Sequence, residues 1–361
     1  MPKKIVTSLD GMTAEWFTAL LREAGVLGGG RVESVSLNPV GGGLIANMVR
    51  ATLTYSDAGD APASVVVKYP SDDKGSFGLA QAMGMYELEI RFYQDVAPHL
   101  PRMSIPKCYS AQFDEQTCRF TLVLEDRGAN TRPGDVLRAA TLDECAAVFG
   151  ELVNFQAPLW NSRAVAELGW LADPRRTLGV FDSLPAGLAP FLERFGHALD
   201  PAHVKLFELV LPQAGKWVRS WQAPTVVQHG DFRSDNILFG VTAEAPRATV
   251  IDFQTIRLGP PGVDAAYFMG SSLPTDARRK VERELIADYH QRLVAADVEH
   301  FDWNACWASY REGAMYAVYL FVGMASQVVS TERGDRVIVD QIRRYADMAV
   351  DLEAPQAAGL A

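Results

Sequence analysis

The most constraining stretch of this chain lies between residues 226 and 264. Three short apolar runs, 225–228, 237–239 and 248–251, are bounded by glycine and polar residues and read as buried strands. The first two flank a polar loop carrying His229, Asp231 and Asn236, and the third ends on Asp252. A fold built on this sequence must therefore hold a carboxylate and an amide on one loop and a second carboxylate at the end of the next strand.

The residue types suit one chemistry. Asp231-x-x-x-x-Asn236 followed by Asp252-Phe253 has the spacing of a kinase catalytic loop and its metal-binding Asp. A hydroxyl nucleophile needs a carboxylate to orient it and take its proton. Mg²⁺ takes hard oxygen ligands, which an Asn carbonyl and an Asp carboxylate supply. The competing reading is an Asn/Asp-rich hairpin turn, which the two halves together disfavour. His-Gly-Asp-x-x-x-x-Asn with Ile-Asp-Phe downstream resembles the aminoglycoside phosphotransferase-like kinases, the clan that includes choline kinases and ecdysteroid-kinase-like enzymes. Asp231-Phe232-Arg233-Ser234-Asp235-Asn236 is similar to the phosphotransferases related to the kinase part of some acyl-CoA dehydrogenase fusions. Ile251-Asp252-Phe253-Gln254 with Gly259 and Asp264 resembles the ecdysteroid-kinase-like branch. The resemblance runs, more weakly, from about residue 39 to about residue 268. It implies an α+β, two-lobe protein-kinase-like fold with an antiparallel-sheet N-lobe (1–127) and a mainly helical C-lobe (128–361) bearing the catalytic loop and substrate site. It also implies ATP and Mg²⁺ as cofactors.

Composition sets outer bounds. At 361 residues a single core is hard to extend, so two lobes are expected. A net charge of −10 argues against a nucleic-acid surface, which wants a basic stripe. Cys108, Cys118, Cys145 and Cys306 form no Cys-x-x-Cys pair, so neither a zinc site nor a disulfide framework is expected. The first residues lack an apolar signal core, and a cytoplasmic location follows as an expectation. The longest uncharged stretch, 313–331, carries Gly323, Ser326 and Gln327 and reads as a buried helix, not a membrane span.

In order, 13–24 places Trp16, Phe17, Leu20 and Leu21 on one helical face, with Thr13 as N-cap and Gly25 as the stop. Segments 31–37 and 47–55 follow as strands, the second with period-2 alternation. Between them lie Gly41, Gly42 and Gly43. Alone, three glycines describe a plain hairpin turn; in the resemblance they cover the phosphates. Lys68 follows a β-branched run, either as an edge lysine facing water or as the lysine that reaches ATP phosphates held by a helix Glu. A helix over 76–96 offers Glu89 as that partner, on the side of Met85, Leu88 and Phe92, with Glu87 as fallback. Glu89-Ile90-Arg91-Phe92-Tyr93 also resembles the ecdysteroid-kinase-like branch. Segments 105–113 and 119–125 read as a hairpin. In the family, Glu125 and the residues after it form the hinge whose backbone bonds the adenine edge.

From Thr141 the chain reads as helical, opening with the capping-box pair Thr141 and Glu144. Segment 161–187 has no clear period and is either a substrate lid or a surface connection. Helices are expected over 263–271, 275–296, 304–329 and 335–352, with a frayed tail after Glu353. Asp264 either accepts bonds from the catalytic loop or serves as an N-terminal helix charge, and His229 braces the loop. Trp303, Trp307, Tyr310, Met315, Tyr316, Tyr319, Phe321 and Met324 form core or the wall of an apolar acceptor pocket. The reading is an ATP-dependent kinase of a small-molecule hydroxyl, with an apolar acceptor (a sterol, lipid alcohol, phenol or hydroxyacyl group). Asp231 is its base, Asn236 and Asp252 its metal ligands. An aminoglycoside-type kinase or a non-catalytic nucleotide-binding protein are the alternatives. A protein kinase is disfavoured, because Asp264 follows Asp252 too soon for an activation loop.

Overall fold

The computed structural model describes residues 5–41, 45–222, 224–325 and 332–361. The chain divides into two compact units. The first comprises Met1–Arg132, Gly240–Ala245 and Thr249–Thr255; the second comprises Pro133–Phe239, Pro246–Ala248 and Ile256–Ala361. Asp252 thus groups with the first unit and Asp231 with the second.

The first unit is an antiparallel sheet backed by helices. Helix α1 (Ala14–Glu23) starts where the Thr13 hydroxyl accepts from the Trp16 N–H, and it stops before Gly25, whose φ is 70°. Strands β1 (Val32–Pro39), β2 (Ala46–Tyr55), β3 (Ser64–Pro70), β4 (Cys108–Asp114) and β5 (Arg119–Glu125) pair in the order β1-β2-β3-β5-β4. Alternation in β2 sets which face is inside: Val49, Ala51 and Leu53 are buried, while Thr52 and Thr54 are exposed. In register, Val49 faces Val67 and Ala51 faces Val65. Phe17, Leu20 and Leu21 of α1 join these residues and Val123 in one core cluster. Each large side chain so buried contributes roughly 1.5–3 kcal/mol.

The single helix expected over 76–96 is broken. Helix α2 (Lys74–Met83), capped by the Asp73 carboxylate on the Ser76 N–H at 2.7 Å, ends at Gly84 with φ 63°. Helix α3 (Met85–Arg91) restarts there and passes into a π-helical turn at Phe92–Val96. A left-handed residue closes a helix cheaply only as glycine, so Gly84 re-aims the segment carrying Glu89.

The second unit is mainly helical. Thr141 and Glu144 form the expected capping box on α4 (Leu142–Gln156). Segment 161–187 is largely helical, not irregular. It is a series of short helices, Arg163–Ala166, Gly169–Ala172 and Arg175–Ser183, whose brevity hid their period. Helix Gly262–Ser272 is buried along its whole length and lies on helix Trp303–Ala325. The backbones approach so closely that a Cβ at Gly262 would sit 2.3 Å from the Ser309 carbonyl carbon, and one at Gly313 would sit 2.7 Å from that of Gly262. Helices Thr275–Ala295 and Glu332–Asp351 complete the unit. The end of the helix expected over 304–329 falls partly outside the described residues. Tyr310, Met315, Tyr316, Tyr319 and Phe321 are all core, whereas the Met324 side chain lies outside the described residues. The tail is not frayed. Ala354, Ala358 and Leu360 are buried, the Leu360 carbonyl accepts from Gln213 Nε2 at 3.0 Å, and Arg311 Nε donates to the Leu352 carbonyl at 2.6 Å. Apolar contacts and capped carbonyls hold what composition alone marks as loose. Among the described residues no helix is long and apolar enough to cross a membrane.

Candidate active site

In the sheet unit, β3 delivers Lys68 with 7 % of its surface exposed. Helix α3 delivers Glu89, 2 % exposed. Lys68 Nζ lies 2.7 Å from both Glu89 carboxylate oxygens and 3.0 Å from Asp252 Oδ1. Burial works against the Lys68 charge, yet Asp252 and Glu89 together hold its ammonium above the ordinary lysine range. Burial also pushes the Glu89 carboxyl up, against Lys68 and the Phe253 N–H, which pull it down. The two contacts at 2.7 Å have the length of a charge-assisted bond. Glu87, the fallback partner, instead pairs with Arg91 at 2.7 Å.

The strand expected to end on Asp252 stops at Val250, and Asp252 lies two residues beyond it with φ 73°, a left-handed backbone that a side chain rarely adopts. Its neighbour pins the turn: the Phe253 ring stacks on Phe92 at 3.5 Å between centroids and 6° between planes. Asp252 Oδ2 accepts from Gln254 Nε2 at 3.3 Å, and its side chain keeps 27 % exposure. Gly41 has φ 71°; Gly42 and Gly43 lie outside the described residues. Glu125 ends β5 with its N–H on the Lys107 carbonyl at 2.8 Å and its carboxylate on the Lys107 N–H at 3.1 Å. Asp126 anchors the next turn, accepting from Arg50 Nε at 2.6 Å, Ser64 Oγ at 2.7 Å and the Gly128 N–H at 3.0 Å.

In the helical unit, strand Val226–Gln228 pairs antiparallel with Arg257–Gly259, a strand too short to announce itself in the sequence. The loop that follows is gripped from beneath. Asp264, fully buried, accepts from the His229 N–H at 2.7 Å and the Gly230 N–H at 3.0 Å. Burial raises the Asp264 carboxyl, with His229 and these two N–H groups opposing. Gly230, φ 81°, turns its carbonyl to the Tyr316 hydroxyl at 2.6 Å and to Arg257 Nη2 at 3.4 Å. Arg257 also bonds the Tyr316 hydroxyl and stacks over that ring, 4.3 Å from its centroid. His229 braces as expected, its Nδ1 accepting from the Asp231 N–H at 3.2 Å.

Asp231 is held on both carboxylate oxygens. Arg233 Nε donates to Oδ1 at 3.0 Å and Asn236 Nδ2 to Oδ2 at 2.8 Å. Asp231 leads the charges that hold the Arg233 guanidinium above its ordinary range. Asn236 Nδ2 also bonds the Asp231 carbonyl at 2.8 Å, and its Oδ1 accepts no hydrogen bond among the described residues. An amide oxygen left without a donor and an Asp carboxylate are the donor types a hard cation takes. No group of three or more His, Cys, Asp or Glu among the described residues is placed to hold a metal. Mg²⁺ needs none, since it is bound through one or two carboxylates plus substrate phosphates. Taken singly, each residue offers a donor of the type this ion takes. Sequence reasoning missed Arg233, Tyr316 and Arg257 as supports of the loop. Arg233 carried a signal, since a guanidinium two positions from both Asp231 and Asp235 can reach either carboxylate.

The family pattern described as the phosphotransferase enzyme family matches residues 58–306. No curated protein sequence matches the chain. Among solved structures, the gentamicin complex of APH(2″)-IIa is 16% identical with a TM-score of 0.52, covering 95% of this chain and 99% of that one. The same enzyme with streptomycin and ATP gives a TM-score of 0.51 at the same identity and coverage. ADP-bound APH(2″)-Ib, 16% identical, gives 0.50 with 93% of this chain and 99% of its own covered. At such identities these likenesses show a common fold. Since the family pattern spans most of the chain, including Lys68, Glu89, Asp231, Asn236 and Asp252, the protein belongs to the phosphotransferase enzyme family.

Proposed function

We propose that the protein is an ATP-dependent kinase that phosphorylates a hydroxyl of a small, uncharged or apolar acceptor. The observation that carries this reading is the buried Lys68, clasped by both oxygens of Glu89 and touching Asp252. A lysine so desolvated has a purpose beyond solubility, and a strand lysine paired to a helix glutamate is the phosphate-binding device of this chemistry. Lys68 takes the ATP phosphates, Gly41, Gly42 and Gly43 cover them, and the backbone around Glu125 meets the base. Asp231 orients the acceptor hydroxyl and receives its proton. Asn236 and Asp252 would hold Mg²⁺. When bound, the ion neutralises charge on the β- and γ-phosphate oxygens.

The acceptor class follows from where the acids are. A polycation wants free carboxylates around the base. Asp231 and Asp235 are bonded to Arg233, and Asp264 is sealed beneath the loop. Arg233 and Arg257 bring two guanidinium groups to the same loop. That favours a neutral acceptor over an aminoglycoside; the aromatic residues of helix Trp303–Ala325 add no support, since Tyr310, Tyr316, Tyr319 and Phe321 are core and Trp303 and Trp307 are half-buried beneath Arg283. An ADP-release screen with Mg–ATP across sterols, lipid alcohols, phenols and hydroxyacyl compounds, with kanamycin-like polycations as comparison, tests both levels. Stimulation by apolar hydroxyl compounds, abolished in Asp231→Ala, is the expected result. Selective turnover of a polycation would overturn the acceptor class alone. Unchanged turnover in Asp231→Ala would overturn the mechanism.

A further inference from the structure

We infer that Arg233 is a positioning residue for phosphoryl transfer, fixing the Asp231 carboxylate in the orientation from which it meets the acceptor hydroxyl; this rests on the kinase reading above. The guanidinium spans two carboxylates. Its Nε bonds Asp231 Oδ1 at 3.0 Å and its Nη1 bonds Asp235 Oδ2 at 2.9 Å. Asp235 is itself fixed, because its Oδ1 accepts from the Val136 N–H at 3.0 Å. Val136 is buried, and its carbonyl takes Gln341 Nε2 and Arg344 Nη1, each at 3.4 Å. A continuous line of hydrogen bonds thus runs from helix Glu332–Asp351 through Val136, Asp235 and Arg233 to Asp231.

Asn236 alone does not replace this. It holds Oδ2 and leaves the carboxylate free to swing about that contact. With Arg233 on the other oxygen, the plane of the carboxylate is set. Each oxygen keeps a second lone pair for the incoming hydroxyl. Removing the guanidinium frees the carboxylate plane and leaves Asp231 and Asp235 as unscreened like charges four positions apart. Because the loop backbone is held separately by Asp264 and Tyr316, the expected damage is to orientation, not to folding or nucleotide binding.

The test measures ADP release from Mg–ATP, with water as the ever-present acceptor and with the hydroxyl panel, for Arg233→Met, Arg233→Lys and Arg233→Ala. Melting temperatures are recorded alongside. Arg233→Met should lose about 100-fold in kcat, the scale of a misplacement near 1 Å, with KM for Mg–ATP unchanged. Arg233→Lys should recover part of the rate, since an ammonium reaches Asp231 but cannot span both carboxylates. Millimolar guanidinium should raise the rate of Arg233→Ala and leave Asp231→Ala dead. Wild-type kcat in Arg233→Met overturns the inference. So does a loss that tracks the melting temperature, falls equally on KM and resists guanidinium. A wild-type protein that releases no ADP with water or any acceptor instead overturns the kinase reading itself.

Discussion

Lys68→Met should destabilise the sheet unit, and Glu89→Gln added to it should restore most of the loss. Methionine keeps the volume of the lysine stem, so little cavity forms. What changes is Glu89: at 2 % exposure it loses both 2.7 Å contacts and keeps the Phe253 N–H. Removing one partner of a buried ion pair costs roughly 3–5 kcal/mol. Replacing Glu89 by Gln removes the stranded charge and leaves a carbonyl for Phe253, so about 2–4 kcal/mol should return as coupling energy. The penalty in the single variant also depends on pH. Burial raises the Glu89 pKa in the folded protein, so the folded state holds the proton more tightly than the unfolded chain does. Stability of Lys68→Met should therefore fall as pH rises from the unfolded carboxylate range, by at most about 1.4 kcal/mol per unit, and level off above the folded pKa. Urea unfolding at pH 6 and pH 8, with amide exchange of β3 and α3 assigning the transition, measures each quantity. A single-variant cost below about 1 kcal/mol, the size of an exposed pair, would refute the reasoning. A double variant as unstable as the single one would do the same.

Asp252→Asn should keep its fold and lose Mg²⁺-dependent ATP affinity, because its carboxylate is the charged donor proposed for the ion; wild-type affinity by calorimetry would remove Asp252 from the site. For Asp126, burial alone would raise the carboxyl, but Arg50, the Gly128 N–H and Ser64 outweigh it and hold it below the ordinary aspartate range. Its stabilisation is then complete above the unfolded pKa and lost as pH falls through the folded one, so Asp126→Asn should flatten the acid limb of the stability curve. Gly84→Ala should cost about 1–2 kcal/mol, since alanine must adopt φ 63° there; denaturation showing no loss would mean the α2–α3 break can move.

Much of this was legible because local chemistry and tertiary role coincide. The Thr141–Glu144 capping box, the alternation of β2 and the position of Lys68 before a helix bearing Glu89 each announce themselves within a few residues. The break at Gly84 was missed because a glycine within an apolar helical period looks tolerable, and only its backbone angle shows it as a stop. The docked tail was missed for a related reason: Ala354, Ala358 and Leu360 have no period of their own, and only a waiting surface orders them. The supports of the catalytic loop divide the same way. His229 lies in the loop itself, and Asp264 closes the motif that runs through Asp252 and Gly259, so their bonds could be anticipated. Tyr316 lies 86 positions from Gly230, and within an aromatic helix nothing marked one hydroxyl for that carbonyl.

The left-handed backbone at Asp252 has an evolutionary implication. Glycine or asparagine would occupy that angle at lower conformational cost, so what favours aspartate there is its charge, which serves Lys68 at 3.0 Å and the proposed ion. Genetic drift in a descendant released from phosphoryl transfer should erode this carboxylate before it touches Lys68 or Glu89, whose loss strands a buried partner. The order in which a lineage loses these three residues would therefore date the retirement of its chemistry against the decay of its scaffold.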